Sequence, residues 1–182
     1  MGGALTSSVR IPGAHKFIDG IIITDQQIQV LNQSWELIEA AGPTRCGELA
    51  FKGLFQQAPE TFNLFTSFSM LENWEDSKPY KHHCAVVLKI IGSIIKVLLD
   101  PPLLNRNMDY MGMRHSLMPV KPEHFDILGR EFIEAFKTVI GESFTNEMCE
   151  VWGIVYTILS KMLQKHIEDY NKEFQHLQSK FN

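Results

Sequence analysis

Two adjacent histidines, His82 and His83, precede a long apolar run in the segment SKPYKHHCAVVLKIIGSIIKVLL, which spans residues 77–99. A third imidazole, His115, sits among methionines in NMDYMGMRHSLMP, residues 107–119. A neutral imidazole is the commonest side-chain metal ligand and a ready proton carrier. What these rings can do depends on which of them a fold turns inward. Neighbouring residues on a helix point about 100° apart, so only one of His82 and His83 can face a core.

Helical periodicity chooses between them. Counting by turns from His82 gives Val86, Lys89 and Ser93, with Lys96 beyond: a solvated stripe. The same count from His83 gives Val87, Ile90 and Ile94, flanked by Tyr80 and Ile91 and extended by Leu98. His83 is therefore expected inside and His82 in water. A single inward histidine is more readily explained as a hydrogen-bonded core residue than as a ligand, because burial penalises only its charged form. His115 changes that balance. Met108, Met111 and Met118 share its face, so it too is an imidazole set in hydrocarbon. Two such groups suit a large apolar cofactor held between helices. A zinc site would need four convergent ligands, and no inward carboxylate or cysteine completes one.

The elements that must position these rings read as helices almost throughout. Thr24 and Gln27 form a capping box, and Ile28, Leu31, Trp35 and Ile38 trace the apolar face behind it. Ala41-Gly42-Pro43 ends that helix. A second carries Leu49, Phe51, Leu54 and Phe55 and stops near Ala58-Pro59. The histidine helix is broken at Asp100-Pro101-Pro102. A short Met-rich helix is expected from about Asn107 to Met118, ending at Pro119. Pro122 opens a helix with the stripe Phe125, Leu128, Phe132, Phe136 and Ile140. The last helix begins near Thr145 and buries Met148, Trp152, Val155 and Leu159. Its end, from Glu168 onward, turns polar and is expected to fray. Strand signals are scarce, so the fold class is all-α.

Composition bounds the function. The 182 residues carry a net charge of −4 with the signs interspersed, and no basic stripe favours nucleic acid. No run of uncharged apolar residues is long enough to span a bilayer. Cys46, Cys84 and Cys149 are odd in number and form no CxxC pair, which suits a reducing, cytoplasmic setting. The start MGGALTSS fits an N-myristoylation pattern, with Gly2 as acceptor and Thr6 at the required spacing; the motif is short, and a flexible Gly/Ala/Ser end is the plainer explanation. One such chain would give only marginal membrane attachment.

Taken in order, six segments resemble the globins, and within them the neuroglobin and globin X group. QSW at residues 33–35 is similar to the tryptophan motif of the first globin helix. AFKGLFQQAPETFNLF, residues 50–65, is similar to the second helix and its proline corner. YKHHCAVVL, residues 80–88, resembles the distal-histidine helix, and MGMRH, residues 111–115, the proximal segment. VKPEHF, residues 120–125, and VWGIVY, residues 151–156, resemble the two closing helices. The resemblance implies a globin fold of about seven to eight helices. It divides the chain into an extension (1–23), a globin domain (24–170) and a polar tail (171–182).

By the same resemblance the cofactor is haem b, with His115 as proximal ligand and His83 in the distal position. Phe65 and Phe125 would flank the porphyrin, and Phe51 would fill the distal side. Tyr80, Val87, Met111, Met118, Val120, Leu128, Tyr156 and Leu159 would line the pocket, although plain core packing also accounts for many of these. Arg114 would reach a propionate. The implied function is reversible binding of oxygen, CO and NO by a six-coordinate haem, in a sensing, redox or NO/nitrite role. The alternatives are a five-coordinate oxygen store, and a nitrite reductase or NO dioxygenase fed by a separate electron donor. A helical module that has lost haem is a further class, against which the two inward histidines weigh. Three features depart from the neuroglobin pattern. Cys84 follows the distal histidine, where small residues are common. Val86 stands where a lysine is common, and the 65–80 loop has no cysteine for a redox-gated disulfide. His124, beside Phe125, is expected at the pocket edge or the surface.

Overall fold

A computed structural model of the chain describes residues 15–18 and 20–181; Gly2 and its acylation pattern lie outside the described residues. Six α-helices and three short 3-10 turns follow a small hairpin. Thr24 caps α1 (Asp25–Ala41) as the sequence predicts. Its Oγ1 accepts from the Gln27 N–H at 3.1 Å, while Gln27 Oε1 accepts from the Thr24 N–H at 2.8 Å. Gly42 and Pro43 separate α1 from α2 (Pro43–Gln57), and Pro59–Leu64 turns as a 3-10 segment into the aromatic corner. After a second 3-10 turn at Trp74–Asp76, Ser77 Oγ caps α3 (Lys78–Val97) by accepting from the Tyr80 N–H at 3.3 Å. The remaining helices are α4 (Pro101–Ser116), α5 (Pro122–Ile140) and α6 (Asn146–Phe181), with a 3-10 turn at Gly141–Ser143.

The helices cross rather than bundle. α2 packs on α3 and α5, α4 on α6, and α1 lies across α5 and α6. Trp152 anchors the centre, fully buried between Trp35 and Phe136. Its indole N–H donates to Ser34 Oγ at 2.8 Å, and that hydroxyl donates to the Leu31 carbonyl at 2.7 Å. A polar chain so deep in the core fixes how α1 meets α6, since either group left unpaired would be costly.

Two expectations need correction, and one small element joins the helices. Residues His15–Ile18 (β1) and Ile21–Thr24 (β2) pair as an antiparallel hairpin, with His15 opposite Thr24 and Ile18 opposite Ile21. β2 buries Ile23 completely against the helical core. The Met-rich helix starts at Pro101, not near Asn107. Asp100 accepts from the Leu103 N–H at 3.1 Å, and both prolines occupy first-turn positions where no N–H is needed. Finally, the polar end of α6 does not fray; it stays helical to Phe181. Among the described residues no helix is long and apolar enough to cross a membrane.

Candidate functional site

α3 presents His83 inward and His82 to solvent, as its periodicity requires. The helix is pinned by Tyr80, whose buried hydroxyl donates to the Glu48 carbonyl of α2 at 2.5 Å. Tyr80 packs on Phe68 and Trp74, so it serves the α2–α3 contact. One turn on, the half-buried His83 ring meets two phenyl edges: Phe51 with centroids 4.8 Å apart and Phe65 at 5.0 Å. Phe132 stands edge-on behind Phe51 at 6.2 Å and stacks on Tyr156 at 5.7 Å. Phe132 belongs to the apolar stripe of α5, and its place behind the His83 cage arises only from the packing of α5 on α2.

Burial pushes His83 from its ordinary 6.5 down to about 4, and the positive forms of His115 and His82 add to the effect. His83 is therefore neutral at pH 7. No hydrogen bond to the described residues holds its ring.

His115 is half-buried near the end of α4, edge-on to Phe125 with centroids 5.6 Å apart. Its Nδ1 lies 2.8 Å from the Met111 carbonyl. A carbonyl only accepts, so the proton sits on Nδ1, and Nε2 keeps a free lone pair. Burial lowers the His115 pKa, the Met111 carbonyl partly offsets this, and the Arg114 charge lowers it further. Both imidazoles are thus presented neutral, the form that binds metal.

Gly112 positions this segment. A Cβ there would lie 2.4 Å from the Cβ of His166, so α4 can approach α6 this closely only at a glycine. On the same face of α4, His166 Nε2 is 3.2 Å from Asn105 Oδ1, and Tyr170 donates to Asp109 at 3.0 Å. These contacts were not read from the sequence, because they join residues about sixty positions apart.

The remaining lining candidates divide by exposure. Val87, Leu128 and Tyr156 are half-buried against the core, and Leu159 is buried. Met111 and Val120 are half-buried, whereas Met118 and Arg114 are exposed at the end of the proximal segment. His124 corrects the expectation of an edge or surface residue. It is 6% exposed, accepts the Lys121 N–H on Nδ1 at 3.2 Å, and lies 3.4 Å from Glu60 through Nε2. With Nδ1 accepting, the proton sits on Nε2, so neither nitrogen is left for a ligand. Val86 is exposed, and the three cysteines are free thiols.

Among the described residues no group of three or more His, Cys, Asp or Glu side chains could hold a bare metal ion. The donor set that does exist is two neutral imidazoles amid phenyl rings. Such a set fits an iron whose other ligands arrive with a flat apolar macrocycle.

The globin family model matches residues 48–163, more than half of the chain. The chain belongs to the globin family and is a haem-binding globin. It is 22% identical over 141 residues to a flavohemoprotein of Bacillus subtilis, covering 76% of this chain and a third (33%) of that protein. It is 21% identical over 140 residues to a neuroglobin of Tetraodon nigroviridis, covering 75% of this chain and 87% of the relative. Among solved structures, a hexacoordinated heme protein from an anhydrobiotic tardigrade superposes with a TM-score of 0.73. It shares 15% identity, over 80% of this chain and 96% of that one. The globin fold follows from these matches.

Proposed function

We propose that this globin holds haem b between His115 and His83, and that oxygen, CO and NO bind by displacing His83. The observation that carries the reading is the state of the His83 ring: neutral, caged by two phenyl edges and bonded to none of the described residues. Bound haem supplies an iron that takes diatomic gases at the position a distal ligand leaves open. The chain supplies the rest. His115 offers Nε2 because Met111 has claimed its Nδ1 proton, and that hydrogen bond orients the ring and raises its basicity. Phe51, Phe65 and Phe125 provide dry aromatic walls, which exclude the water and protons that promote haem oxidation. Arg114, exposed one residue before His115, would pair with a propionate of the bound haem.

When His83 is the sixth ligand, apparent gas affinity falls by the fraction of protein in which that ring is released. Such a protein stores gas poorly, and suits sensing, electron transfer or NO and nitrite chemistry with a separate electron donor. A cytoplasmic setting, with Gly2 acylation as a weak membrane tether, is consistent with that role.

CO association with the reduced protein tests the mechanism. In the wild type the observed rate should level off as CO is raised, because His83 release becomes limiting. In His83→Leu it should rise linearly with CO. Linear behaviour in both would mean that His83 does not occupy the ligand position.

A further inference from the structure

Helix α6 outruns the body of the protein. Every residue from Asn171 to Lys180 is exposed. So long a stretch of helix standing in water is marginal, because helices draw most of their stability from packing an apolar face. The apolar residues along it are ordered. Leu163, Ile167, Tyr170, Phe174 and Leu177 follow one another at spacings of four, three, four and three, the seam of a coiled coil. The first half of this seam is covered within the molecule: Ile167 is buried, and Tyr170 bonds Asp109 of α4. α4 then ends, and the seam runs on with Phe174 62% and Leu177 47% exposed. Leu117, 79% exposed, and Met113 stand beside them. Together with Tyr170 these side chains line a groove of about 430 Å³.

We infer that a second copy of this chain fills that groove, its α6 laid antiparallel on the first. With Ile167 and Phe174 at a positions and Tyr170 and Leu177 at d, an antiparallel seam sets Phe174 against the partner's Leu177. Glu173 and Lys180 then fall at g positions, which face each other across an antiparallel pair. Glu173 meets the partner's Lys180, and two-fold symmetry repeats the contact. A parallel pair would set Glu173 against the partner's Gln178, with no charge to answer it. The charge pattern therefore selects both the partner and its direction.

Sedimentation of the haem-loaded full chain, from about 1 μM to about 100 μM, tests this. The mass should rise with concentration toward twice the 20.8 kDa of one chain. Phe174→Glu combined with Leu177→Glu should hold the chain at the monomer mass. Both side chains are exposed, so the helical circular dichroism of the body should persist. Glu173→Lys alone should weaken association about tenfold, and adding Lys180→Glu should restore it, as two surface ion pairs are lost and regained. A wild-type chain that stays monomeric throughout would overturn the inference, as would a dimer indifferent to the Phe174/Leu177 double change. A double charge reversal weaker than the single one would refute the antiparallel register.

Discussion

His115 and Met111 are joined by a 2.8 Å hydrogen bond from the imidazole Nδ1–H to the carbonyl one helical turn back. That bond decides which ring nitrogen is left over. His124, nine residues on, carries the opposite tautomer, because its Nδ1 accepts the Lys121 N–H. Position along the chain barely separates the two histidines; their hydrogen-bond partners do. His115→Ala should therefore abolish haem retention, read as the ratio of Soret to protein absorbance. His124→Ala should keep the haem and cost about 1 kcal/mol in urea unfolding, since the Lys121 N–H at the start of α5 loses its acceptor. Equal haem loss in both variants would contradict the assignment.

Burial holds His83 near 4 against an ordinary 6.5, so the folded chain binds fewer protons than the unfolded chain between those values. In the haem-free protein its stabilising contribution is complete above about 6.5 and is lost as pH falls toward 4. His115, lowered chiefly by burial as well, acts in the same direction. The His83 part amounts to roughly 3 kcal/mol. Denaturant midpoints at pH 7 and pH 4 should draw closer together in His83→Leu than in the wild type. An unchanged pH dependence would show that His83 is not held neutral by the fold.

Gly112→Ala tests the seat of the proximal segment. Glycine to alanine in an exposed helix gains about 1 kcal/mol. Here the new Cβ would fall 2.4 Å from the Cβ of His166, and α4 must move away from α6. Overpacking of this kind costs about 1–3 kcal/mol, so the sign reverses. Thermal unfolding should register the loss, and a rise in the melting temperature would refute the close contact.

Much of the site could be read from the sequence because its signals are local. Periodicity alone chose His83 over His82, and the Thr24/Gln27 box and the Gly42-Pro43 break fell where spacing placed them. What escaped depends on partners distant in sequence or on turn chemistry passed over. Gly20, with a φ of 78°, supplies the left-handed turn between β1 and β2, and Asp-Gly just before the β-branched run Ile21–Thr24 is a hairpin signal. The tandem prolines at 101–102 read as a break, although proline is as much at home in a first turn as after a last one. The buried His124 was hidden because its partner Glu60 lies on another helix corner. No local pattern reports such a contact.

The measurement that bears most directly on the central claim is the visible spectrum of the purified protein, reduced with dithionite and then exposed to CO. Haem held by both His115 and His83 gives sharp paired bands in the reduced state, which CO converts to a carbonyl spectrum. A broad single band before CO would mean that His83 stays off the iron and that the protein is a five-coordinate globin. No Soret band in protein from haem-replete cells would contradict haem binding altogether.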